Sequence, residues 1–66
     1  MIQIKYFNSL TSPTDEEIYE AMNIVENENC VVIIKWTMFG YQYEITVCKF
    51  MTFEQCKNQI PTVYGL

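Results

Sequence analysis

The sequence contains no histidine and no arginine. Without histidine there is no Ser-His-Asp triad, no Cys-His pair and no imidazole ligand for a metal. Without arginine there is no planar fork to grip a phosphate or carboxylate at two points. Glycine occurs only at Gly40 and Gly65, too far apart for a phosphate-cradling loop. Positive charge is scarce: four lysines stand against eight acids, with a net charge of −4 and a pI near 4.4. Nonspecific nucleic-acid binding depends on neutralising phosphates, so this balance argues against it. The longest aliphatic run, Val31-Val32-Ile33-Ile34, falls far short of a membrane span. The three cysteines, Cys30, Cys48 and Cys56, are odd in number and form no CxxC. A secreted disulfide framework uses an even set. The N-terminal residues alternate in polarity and lack the apolar run of a signal peptide. We therefore expect a cytoplasmic chain with reduced thiols serving as small buried hydrophobes, and no cofactor or metal.

What is present is apolar and rich in residues that favour strands. The 66 residues are 50% hydrophobic and 15% aromatic, a composition that excludes disorder. Ile, Val and Thr are frequent whereas leucine occurs only at Leu10 and Leu66, which leans towards sheet. Residues 1–66 form one domain. A chain this short buries only about 60% of its unfolded surface. Its core supplies roughly 3–5 kcal/mol net, so small domains of this kind often draw on oligomerisation.

Residues 1–8 alternate, with Ile2, Ile4 and Tyr6 on one side and Gln3 and Lys5 on the other, as in a strand with one buried face. A helix follows, starting at Ser12 or at Thr14, where Thr14 and Glu17 make a capping box. Ile18, Ala21, Met22 and Val25 then fall on one stripe, and Asn27 or Asn29 ends the helix in the left-handed conformation. Residues 30–38 and 41–49 read as a hairpin. Setting Lys35 opposite Glu44 puts Val32, Ile34, Trp36 and Met38 on one face with Tyr41, Tyr43, Ile45 and Val47. A one-residue slip would mix polar and apolar sets, so the pattern selects this register. Phe39 is ill suited to a positive φ, which argues against a strict two-residue turn at Phe39-Gly40. Thr52 and Gln55 box the start of a short second helix over 51–59, with Met51 stapled onto Cys56, and Pro61 stops it. The tail Thr62–Leu66 is read as an edge strand or as loosely packed. The expected architecture is α+β: a small two-layer β-α-β-β-α domain, its three-stranded sheet in the order 1-3-2 with strand 1 antiparallel to strand 3, and the first helix on the apolar face.

Three features bear on function. Six of the eight acids lie between Lys5 and Lys35 with no base among them. Asp15, Glu16, Glu17 and Glu20 thus make an acidic helix face that fits a basic groove on a nucleic-acid-handling protein. Trp36, Phe39, Tyr41 and Tyr43 gather at the hairpin tip, where a helix about 21 Å long would not cover strands of about 27 Å. Aromatics of this kind anchor interfaces. Val31, Ile33 and Cys48 lie on the face away from the core, and the second strand would be an unprotected sheet edge. Both would be covered by a two-fold contact, so we expect a homodimer or higher homo-oligomer.

A tiny acidic domain using Ile, Asn, Lys and Tyr freely, with no arginine and no catalytic constellation, resembles small phage-encoded anti-defence proteins, including the anti-CRISPR proteins. That resemblance of composition and size implies a protein that binds and blocks a host nuclease or otherwise protects phage DNA, in the host bacterial cytoplasm. The residues and the resemblance together lead to the expectation of a small inhibitory binding protein acting by stoichiometric contact on a basic surface of a host nuclease or DNA-binding protein. The alternative is an oligomeric nucleic-acid-acting protein, a metal-dependent DNA nickase using Asp15 and neighbouring glutamates.

Overall fold

A computed structural model describes residues 2–61. The elements run β1 (Gln3–Asn8), α1 (Asp15–Glu28), β2 (Cys30–Met38), β3 (Tyr41–Val47) and α2 (Phe53–Lys57). The helix α1 starts as its sequence dictates. Thr14 accepts from the Glu17 backbone N–H at 3.2 Å while Glu17 Oε1 accepts from the Thr14 N–H at 3.0 Å, closing the capping box. At the other end Asn29 turns left-handed, with φ 53°, and the chain enters β2 directly. Ile18, Ala21 and Val25 on one stripe are buried, with Met22 and Ile24 half-buried beside them. The short α2 opens with its own box between Thr52 and Gln55. It lays Phe53 flat on Tyr19, ring centroids 4.5 Å apart, and buries Cys56 completely. Burial, and then the nearby Cys48, pushes the Cys56 thiol upward from its ordinary pKa.

The hairpin has the expected register, with Lys35 opposite Glu44 and Trp36 opposite Tyr43. Val32, Ile34, Trp36, Ile45 and Val47 close the core against α1 and Cys56. The pairing runs out to Met38 and Tyr41, so only Phe39 and Gly40 remain for the turn. Both take positive φ, 53° and 78°. The turn is therefore the tight two-residue form that Phe39 argued against. The twist of that turn matches the paired strands, and ladder pairing outweighs the roughly 1–2 kcal/mol a left-handed side chain costs.

The strand order is β1-β2-β3, not 1-3-2, and β1 runs parallel to β2 rather than antiparallel to β3. Each strand of a hairpin keeps one free edge, so β1 can join at either β2 or β3. Here the β-α-β connection delivers β1 to the edge of β2, which is therefore central and not exposed. This register sets Ile4 beside Val31 and Tyr6 beside Ile33. Ile2, Ile4 and Tyr6 consequently share the outer face, away from both helices, and are 68, 52 and 58% exposed. The buried face expected for this row is not where the row lies. Lys5 and Phe7 take the helix side instead. The tail Thr62–Leu66 lies outside the described residues.

Candidate protein-binding surface

The acidic helix divides into spent and unspent charges. Asp15 Oδ1 accepts from Lys57 Nζ of α2 at 2.9 Å. Glu28, in the last turn, is paired with Lys5 of β1, and this contact raises the Lys5 pKa. Glu17 is committed to the capping box and also accepts from Ser9 Oγ at 3.2 Å. These donors, the Thr14 backbone N–H foremost, hold its carboxyl below the usual carboxylate range. Glu16 and Glu20 are exposed, and no described cation pairs with either. The four carboxylates therefore play different parts and do not converge. No three metal-ligating side chains come together among the described residues.

The aromatic tip is less uniform than its sequence. Trp36 is 3% exposed and stacks on half-buried Tyr43 at 5.7 Å between centroids. Trp36 is thus core, withdrawn from any contact surface, because α1 begins over this end of the sheet. Its Nε1 finds no hydrogen-bond acceptor among the described residues. Phe39 and Tyr41 stand 72 and 68% exposed beyond the core.

Two features escaped the sequence. First, α1 rests on β2 and β3 and its backbone does not approach β1. A groove of about 130 Å³ opens between α1 and β1, floored by Phe7, Ala21, Ile24 and Ile34, with Glu17 and Glu20 on its rim. The helix-side position of Phe7, opposite the row taken as buried, is the one signal that could have found it. Second, neither described helix lies on the outer face of the sheet. That face joins Ile2, Ile4 and Tyr6 to half-buried Val31 and Ile33, with Lys35 Nζ 4.9 Å from the Tyr6 ring centroid. Half-buried Cys48 follows the end of β3. A wider notch, about 480 Å³, lies past the end of β1 beside Leu10, Thr37 and Gln42.

The two edges of the sheet also differ. On β3, the Thr46 N–H donates to Gln59 Oε1 at 3.0 Å and Gln59 Nε2 donates to the Thr46 carbonyl at 2.6 Å. A side-chain amide there imitates the next strand. On β1, the Ser9 N–H donates to the Lys35 carbonyl at 2.7 Å, which fixes the odd-numbered backbone groups towards β2. By strand alternation Ile4, Tyr6 and Asn8 turn their N–H and C=O outward, where no described strand meets them.

Compared with protein-family models, curated proteins and solved structures, the chain matches none. No helix among the described residues is long and apolar enough to cross a membrane.

Proposed function

We propose that the chain is a small acidic inhibitory binding protein that blocks a nucleic-acid-handling defence protein of a bacterial host by stoichiometric contact. The observation that supports this reading is the pair Glu16 and Glu20, one helical turn apart, exposed and without a cation. Two unneutralised carboxylates on the exposed face of a capped helix favour encounter with a basic surface and raise the association rate more than the final affinity. Phe39 and Tyr41 supply exposed aromatic area at one end of the molecule. A phage origin and the host cytoplasm belong to the same proposal, since that is where such a target is met.

Capture from bacterial lysate on immobilised chain, followed by mass spectrometry, tests it. The expected result is a basic nucleic-acid-handling protein retained at defined stoichiometry and lost with the Glu16→Lys/Glu20→Lys double variant. A plasmid-nicking assay with and without Mg²⁺ addresses the alternative nickase: cleavage that depends on the ion and on Asp15 would overturn the binding reading.

The acting unit is proposed as a homodimer, and the outer face, which neither described helix covers, supports this. Val31 and Ile33, with Ile4 and Tyr6 beside them, make a nearly uncharged row that a two-fold copy would cover. Cys48, past the end of β3 and close to Cys56, is not part of that row. Light scattering at micromolar concentration checks it: a mass of 7.8 kDa rejects the dimer, and Ile33→Glu should split a real one while the core stays folded.

A further inference from the structure

We infer that the open edge of β1 and the groove between α1 and β1 form one site, which takes an extended basic segment of a partner protein as a fourth strand. This rests on the reading above that the partner is basic, and it specifies how that partner is held. Three independent features meet here. Ile4, Tyr6 and Asn8 present outward backbone donors and acceptors, whereas the far edge is closed at Thr46 by Gln59. The helix layer stops short of β1, leaving the groove and a Phe7 side chain that is 40% exposed. The rim of that groove carries Glu20, which has no cation, and Glu17.

A strand added to β1 would lie about 4.8 Å from it and send alternate side chains to the two faces of the sheet. Those on the helix side arrive beside Phe7. A lysine or arginine there lays its aliphatic stem along Phe7 and Ile24 and brings its charge to Glu20. Side chains on the other face continue the row of Ile4 and Tyr6, so apolar residues suit them. The segment is thus an alternation of basic and apolar residues.

Charge selects this occupant over a second copy. Another β1 would bring its own α1, with a second pair of unneutralised glutamates, to the same side of the sheet. Its one cation, Lys5, is already paired with Glu28.

The test uses the whole chain and three acetylated, amidated nine-residue probe peptides. One alternates valine and lysine, one replaces each lysine by glutamate, and one is the lysine peptide with alternate backbone nitrogens methylated. Binding is followed by fluorescence anisotropy and by amide chemical shifts. The lysine peptide should bind and shift the amides of Ile4, Tyr6 and Asn8. The glutamate and methylated peptides should not. Glu20→Gln should weaken the lysine peptide about fivefold, as loss of one ion pair at a partly apolar rim implies, and Glu26→Gln should leave it unchanged. Equal binding of the methylated peptide overturns strand addition, and equal binding of the glutamate peptide overturns the role of charge. Shifts confined to the Glu16 side of α1 overturn the β1 site while leaving the basic-partner reading intact. No binding by any peptide overturns the inference, and loss of lysate capture is the separate failure of the function reading. Slow hydrogen exchange at Ile4, Tyr6 and Asn8 in the free chain also overturns the site, since the edge would already be taken by a second copy or by residues beyond Pro61.

Discussion

The β3 side of this sheet is finished and the β1 side is not. On the β3 side, both helices roof the inner face, Ile45 and Val47 are fully buried, and Gln59 seals the edge at Thr46. The outer face there is polar, with Gln42, Glu44 and Thr46. On the β1 side neither described helix brings its backbone to the strand, no described partner meets the edge, and the outward row is Ile2, Ile4 and Tyr6. The described residues do not close every surface of the three-stranded sheet. The difference separates the side chains that close the core from the apolar surface and outward backbone groups that stay exposed among the described residues.

The largest expected effect tests the closed side. Ile45→Ala, at a position with no exposed surface, should destabilise the chain by about 2–5 kcal/mol in urea unfolding. Ile4→Ala on the open side should cost less than about 1 kcal/mol in the monomer. Equal losses would break the comparison, and an Ile4 loss that grows with protein concentration would sharpen it towards the dimer.

Gln59→Ala should open the sealed edge. It removes two hydrogen bonds around Thr46, with an expected cost of about 1–2 kcal/mol. In hydrogen exchange the Thr46 amide should become fast, as the outward amides of Ile4, Tyr6 and Asn8 are expected to be. If Thr46 is fast in the unaltered chain, the amide cap is not what distinguishes the edges.

Thr14→Ala removes the acceptor that starts α1, at a cost of about 1 kcal/mol by thermal or urea unfolding. Because α1 roofs β2 and β3 but not β1, the loss should loosen amides of β2 and β3 before it changes those outward on β1.

The smallest effect is acid-dependent. Glu17 is held below its ordinary pKa by donors made only in the fold. Its contribution is therefore present at neutral pH and lost as pH falls through and below the usual carboxylate range, because the unfolded chain takes up the proton first. Glu17→Gln keeps an acceptor for the box and removes the titration. The acid limb of its stability curve should be shallower than that of the parent, and an unchanged limb would assign the acid sensitivity elsewhere.

How much of this was legible follows from which residues carried contrast. The hairpin register could be read because one face is apolar and the other holds Lys35, Thr37, Gln42 and Glu44, so a slip has a visible cost. The start of α2 could be read from the reciprocal caps Thr52 and Gln55, whereas that of α1 was narrowed only to Ser12 or Thr14, of which Thr14 with Glu17 is the cap. The strand order could not. Alternation in residues 2–6 says that β1 has two different sides, but not which side meets the helix. The apolar row went outward because the parallel register aligns it with Val31 and Ile33, and Lys5 on the inner side is tolerated because Glu28 receives it at the end of α1. The α1–β1 groove depends on that order and was hidden with it. The acidic face was legible as charge. Its division into paired Asp15, committed Glu17 and unpaired Glu16 and Glu20 depends on Lys57 and Ser9, which are distant in sequence.

The stacked pair of Trp36 and Tyr43 gives the molecule an optical handle. The chain has a single tryptophan, held in the core across the hairpin from its tyrosine partner. Its fluorescence therefore reports one location without labelling. An indole sealed from water emits towards the blue, and opening of the hairpin or lifting of α1 would move that emission to the red. The dye-free signal follows the closed half of the sheet, and ligand seated on β1 would leave it in place unless the core itself were disturbed.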